Sequence, residues 1–302
     1  MNIPFVKQLD FTYGQAARLT PLVRRVVAQN PSAFTFHGTG TYIIGQGKVA
    51  VIDPGPDDPA HIQALLDSIP GETVSHILIT HTHRDHSPGA ALLKKHTNAP
   101  SYGFGPHPVS PGGGMVEEGG DHDYRPDVIL KDGDVVQGEG WTVTALHTPG
   151  HISNHLCFSL HEEAALFSGD HVMGWSTTVI SPPDGNMTDY YASLRKLLPR
   201  SETVYYPTHG APIGQATTGI TPQAFVTGLI KHREAREAQI MACLANGPQT
   251  IPAMVERMYA DVPKQLHGAA GRSVLAHLIH MVSDGRVKAA PAANETALYS
   301  AA

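Results

Sequence analysis

A chain of 302 residues with 41% hydrophobic and 16% charged residues suits a folded protein of one large domain, or a large and a small one. Its formal charge of −6 argues against broad affinity for nucleic acid, so DNA is not expected as a partner, and no apolar run reaches the roughly 18 residues of a membrane span. Two distant cysteines exclude a disulfide framework; with an N-terminus that does not read as a signal peptide, they predict a reduced, cytoplasmic setting.

In chain order, "TYIIGQGKVAVIDPGP" reads as two strands joined at Gly45-Gln46-Gly47 and ending at Asp53-Pro54-Gly55. A helix follows, with Asp58 as its cap, Pro59 in its first turn and Gly71 beyond its end. "TVSHILIT" predicts a strand buried on both faces. Ser87-Pro88 is expected to cap a second helix that stops near Asn98. Residues 101–126, rich in Gly and Pro, predict one long loop, either a lid over a site or a plain connection. Strands then return: "WTVTALH" alternates strictly, and "HLCFSL" and "AALFSG" pair across Glu162-Glu163. "YYASLRKLLP" predicts a helix and "ETVYYP" a last strand, so the whole reads as a layered α/β domain.

Near residue 220 the pattern becomes helical. Thr221-Pro222 opens a long helix closed by Gly247-Pro248, Thr250 precedes a second, and a third carries Val274, Leu275, Leu278, Ile279 and Val282 on one face. Asp284-Gly285 then turns into "RVKA", which gives a winged-helix-like tail. The expected domains are 1–219 and 220–302.

Of 19 histidines, the informative ones lie where apolar runs meet loops. "THTHRDHSPG" places His81 and His83 two apart in extended chain, so both rings can point the same way. Asp85 and His86 then turn across the start of the next helix and offer a second pair of ligands. His151, Asp170 and His209 each follow a strand, at "HTPGH", "FSGD" and "PTHG". Sheets of this class build their sites at the carboxyl ends of strands, and seven candidate ligands suit a pair of ions.

Those four motifs, in that order, resemble the metal motifs of the metallo-β-lactamase-fold hydrolases. The resemblance implies an αββα sandwich in which His81, His83 and His151 hold one ion, Asp85, His86 and His209 a second, and Asp170 bridges them. It implies a metal-dependent hydrolase in which two Zn2+ ions, with manganese or iron as alternatives, activate a shared water. Asp85 and His155 are expected to take part in catalysis; His147 and His171 also lie close in sequence to ligands. True metallo-β-lactamases with this motif are exported and lack the bridging aspartate, so Asp170 speaks against that activity. From "GTGTYIIG" to the winged-helix-like end, the chain resembles the β-lactamase-like protein group, which includes endoribonucleases cutting single-stranded RNA.

Three functions follow. The first is a phosphodiesterase acting on single-stranded RNA. The second is a glyoxalase II-like thioesterase or lactonase acting on a small molecule. The third is a metal-stabilised module that binds RNA or protein without catalysis. The tail, with eight Lys/Arg against six Asp/Glu from residue 220 onward, is only slightly basic, which fits a cap on the metal domain or a homodimer contact.

Overall fold

The computed structural model describes residues 3–108 and 119–302. Its order is β1 Ala17–Arg18, β2 Val23–Val27, β3 Gly40–Ile44, β4 Lys48–Ile52, α1 Pro59–Asp67, β5 Thr73–Leu78, α2 Gly89–Thr97, β6 Ser101–Gly103 and β7 Val128–Ile129. Then come β8 Val135–Gly138, β9 Trp141–His147, β10 Leu156–Leu160, β11 Ala165–Gly169, α3 Met187–Leu197, β12 Val204–Pro207, β13 Ile213–Gly214 and α4 Gln215–Thr218. The tail holds α5 Pro222–Leu244, α6 Ile251–Met258, α7 His267–Ser283, β14 Val287–Ala290 and β15 Leu298–Ala301.

Strands β1 to β7 form one sheet in sequence order, and β13-β12-β11-β10-β9-β8 form the other. Alternation sorts the side chains into layers. Tyr42, Ile44, Ala50 and Ile52 of the first sheet face Val143, Phe158 and Phe167 of the second. The intervening Ile43, Val49 and Val51 turn outward onto Ile62 and Leu65 of α1 and Leu93 of α2. On the far side, Cys157, Leu166 and Tyr205 pack against Tyr190 and Leu194 of α3 and Phe225 and Leu229 of α5. The fold is therefore the α/β/β/α sandwich anticipated from the sequence, and β10 and β11 are buried at every residue because both their faces are covered.

Helix signals match the structure at several ends. Asp58 accepts from Ala60 N–H at the start of α1, and Asn98 takes the left-handed conformation that ends α2. Ser87 behaves otherwise: α2 has no side-chain cap, because the Ser87 hydroxyl donates to Asp121 instead (2.6 Å). The segment expected as one loop at 101–126 contains β6, which pairs with β5, and its residues 109–118 lie outside the described residues.

The tail forms a fourth core from Ile240, Leu244, Met254, Val255, Leu278, Met281 and Tyr299, with β14 and β15 as an antiparallel ribbon. Helix α5 serves both parts: its first half packs on the second sheet and its last turns on the tail, so the boundary expected at 219/220 falls at the start of a shared helix. No helix among the described residues is long and apolar enough to cross a membrane. Cys157 and Cys243 are buried free thiols.

Trp141 couples the sheets. It is buried in the central core, and its indole N–H donates to the carbonyl of Lys48 on β4 (3.2 Å). Trp141→Ala is expected to cost about 3–5 kcal/mol. Urea unfolding measures this, and a loss under about 1 kcal/mol would contradict the role given to the residue.

Candidate metal centre

Strand direction assembles the site. β9, β11 and β12 run the same way in their sheet, and β4 and β5 run parallel in theirs, so five carboxyl ends meet at one edge of the sandwich. Asp53 follows β4, His81, His83, Asp85 and His86 follow β5, His151 follows β9, Asp170 follows β11 and His209 follows β12.

All seven sequence-predicted ligands converge. Three groups with ligand atoms close enough to share an ion are His81, His83 and His151; His81, His86 and Asp170; and Asp85, His86 and His209. His83 Nδ1 lies 3.0 Å from His81 Nε2 and 3.1 Å from His151 Nε2. Asp85 Oδ2 lies 3.1 Å from His86 Nε2 and 3.0 Å from His209 Nε2. Asp170 Oδ2 stands between the two sets, 3.6 Å from His86, 3.5 Å from His209 and 3.9 Å from His151. Donors about 2.0–2.1 Å from a tetrahedral ion are separated by roughly 3.4 Å, so the spacing fits metal. Buried His86 Nε2 and Asp170 Oδ1 have no hydrogen-bond partner, as ligand atoms awaiting a cation would.

The electrostatics agree. Burial, reinforced by neighbouring imidazoles, holds His81 and His83 well below the usual histidine range, so both are neutral. Burial alone would raise Asp85 and Asp170, yet the adjacent His86 and His209 hold both carboxyls well down. Conversely, burial would lower His209, but Asp170 and Asp85 push it up to about 10. His86 is raised in the same way by Asp85, Asp170 and Asp53. A field that draws protons onto two buried rings would also draw cations.

Four of the five rings are aimed through their second nitrogen. His86 Nδ1–H donates to Asp53 Oδ2 (2.9 Å), His151 Nδ1–H to the Val179 carbonyl (2.8 Å) and His209 Nδ1–H to the Gly38 carbonyl (3.2 Å). His81 Nδ1 contacts the Thr80 hydroxyl (3.1 Å). Asp53 is the functional residue that sequence reasoning missed. Its carboxylate also accepts from Thr80 N–H, the Thr80 hydroxyl and the Thr208 hydroxyl, tying both sheets to His86. It does so from a left-handed backbone (φ +48), uncommon outside glycine.

His155, expected at the chemistry, lies one layer beneath it. It is fully buried, its Nε2 accepts from the Asp170 N–H (3.2 Å), and its Nδ1 contacts the Thr148 hydroxyl (2.9 Å). Both nitrogens are engaged, which makes it a positioning residue for Asp170. A Cβ at Gly169 (φ +52) would stand 2.5 Å from His155 Nε2, so this contact requires glycine there. Thr178 holds the other side of Asp170, donating to its carbonyl (2.7 Å). His171 is buried nearby, while His147 donates to the Ser153 carbonyl (2.9 Å), away from the ligand set.

Above the ligands is a cleft of about 50 Å³. His83, Asp85, His151, Asp170 and His209 form its floor, and Phe34, Met173, Trp175 and Val179 its apolar wall. Among the described residues, no Lys or Arg lines it.

Replacing Asp53 by Asn removes the acceptor that fixes the His86 tautomer. Metal affinity, measured by chelator competition, should fall about 10–100-fold in Asp53→Asn. Unchanged affinity would show that His86 is aimed by packing alone.

The description "Metallo-beta-lactamase superfamily" matches residues 35–209, and "Beta-lactamase associated winged helix domain" matches 250–294. A lactamase-like protein of Pestalotiopsis microspora, GME11357, is 34% identical over 254 residues, 82% of this chain and 72% of that protein. The protein named atrochrysone carboxyl ACP thioesterase dmxR1, of Cryptosporiopsis sp. (strain 8999), is 31% identical over 283 residues, 83% of this chain and 79% of its own. Among solved structures, a beta-lactamase domain protein from Burkholderia ambifaria superposes with a TM-score of 0.79 at 20% identity, covering 97% of this chain and 96% of the other. With its His/Asp cluster at the strand ends and a winged helix domain behind it, the chain belongs to the metallo-beta-lactamase superfamily and is a hydrolase.

Proposed function

We propose that the protein hydrolyses an acyl thioester using two zinc ions. His81, His83 and His151 would hold one and Asp85, His86 and His209 the other, with Asp170 as a further ligand. Five imidazoles and two carboxylates suit zinc, with manganese and iron as alternative occupants. When bound, the ions supply an activated water and Lewis-acid charge at the carbonyl. Asp53, through His86, and His155 and Thr178, through Asp170, keep the ligand atoms in place before substrate arrives. The apolar wall seats the acyl group over the ligands and excludes bulk water. In the reaction water's oxygen bonds to the acyl carbon, the C–S bond breaks, and one of the water's protons ends on the departing thiolate, giving a thiol, while the other stays with the carboxylic acid product.

The observation that carries this reading is the cleft's lining: apolar residues above His and Asp, with no Lys or Arg among the described residues. A neutral acyl carbonyl asks for nothing more. A phosphodiester, placed first from the sequence, carries a negative charge of its own, and among the described residues no guanidinium or ammonium lines the cleft to meet it beside the metal ligands. Likeness to a protein named a thioesterase supports the acyl reading.

The test is a panel of zinc-loaded protein with an acyl-N-acetylcysteamine thioester, a lactone and single-stranded RNA. Thioester turnover is expected to fall by roughly a thousandfold or more in His83→Ala. RNA cleavage that persists through repurification and disappears in His83→Ala, with the thioester untouched, would replace this reading by the phosphodiesterase.

A further inference from the structure

Beside the metal cleft runs a second groove of about 350 Å³, between the metal domain and the tail. Phe34 and Val179 line both, so the two spaces adjoin. Both residues are substantially exposed, at 40% and 38%, and Leu266 at the groove's far side is 52% exposed. Three of the few exposed large hydrophobics therefore gather here.

Arg233 and Arg236 of α5 and Arg272 of α7 line the same groove. Arg233 is only 4% exposed, a buried guanidinium that the mechanism does not use. It donates to the Thr178 carbonyl and lies 5.4 Å from the Tyr190 ring centroid, but its Nε has no partner. Arg236 stacks 4.8 Å above Tyr259 and donates to Gln239, which is neutral. Arg272 is exposed on α7. Among the described residues none of the three guanidiniums is ion-paired with a carboxylate, although buried charge is costly without one. His232, also in the groove, is lowered to about 4 by burial and by Arg233 and Arg236, so the positive charge there belongs to the arginines.

We infer that this groove holds the phosphate of a phosphopantetheine-type thiol arm while the acyl group lies over the metals. The inference rests on the thioester reading and extends it to the leaving group. The groove combines what such an arm needs: apolar walls at the joint with the metal cleft for its uncharged length, and guanidiniums for its anionic end. RNA would also present phosphates on either side of the scissile one, and among the described residues no Lys or Arg lines the metal cleft to meet them.

Calorimetry on the zinc-loaded full chain tests this with 4′-phosphopantetheine and pantetheine, which differ only in the phosphate. Phosphopantetheine is expected to bind at least about tenfold tighter. That preference should vanish in Arg236→Ala/Arg272→Ala, and in Arg272→Glu, where an exposed position leaves the fold intact. Turnover of the phosphate-free N-acetylcysteamine thioester should stay at its wild-type rate in these variants. Equal binding of the two arms, or a preference that survives the substitutions, overturns the inference. So does a short single-stranded RNA that outcompetes phosphopantetheine and loses its binding in the same variants. Failure of the thioester reading shows separately, as absence of N-acetylcysteamine thioester hydrolysis.

Discussion

Asp85 and Asp170, two buried carboxylates, lie within 4 Å of ring nitrogens from His86, His209 and His151. Removing so many polar groups from water is costly unless opposite charge compensates. The two carboxylates hold His86 and His209 above the usual histidine range, while burial holds His81 and His83 below it. The arrangement makes physical sense as a cage for cations, and the surrounding structure serves to hold it closed.

That service reaches well into the sandwich. Asp53 on the first sheet accepts from Thr80 and from Thr208, which follows β12 of the second, so the carboxylate that aims His86 also pins the sheets together at the site's edge. Asp170 is gripped from below by His155 and from the loop side by Thr178. Arg233 of α5, donating to the Thr178 carbonyl, extends this chain of contacts to the helix shared with the tail. The winged helix domain thus borders the chemistry through α5, and its α7 supplies one wall of the adjoining groove.

The candidate ligands were legible because they are concentrated: four fall within six residues, and the other three sit at strand ends marked by Gly and Pro. Burial periodicity made the sandwich legible too, as in β9, where the expected alternation holds over most of its length. What supports the ligands was not. Asp53 in "VIDPGP" looks like an ordinary turn residue, and a threonine such as Thr80 or Thr178 gives no sign of the atom its hydroxyl meets. β2 was invisible because Arg24 and Arg25 interrupt its apolar run. In the fold Arg24 pairs with Glu72, and Arg25 is buried with its guanidinium on the Gly210 carbonyl (3.3 Å). His155 was noticed for its proximity to His151, but only the fold shows that it faces the backbone of Asp170.

The most direct test is anomalous diffraction at the zinc edge from crystals of the zinc-loaded protein. The account predicts two peaks roughly 3.5–4 Å apart, one among His81, His83 and His151, the other among Asp85, His86 and His209, with Asp170 touching both. A single peak, or two peaks that leave Asp170 uncoordinated, would contradict it.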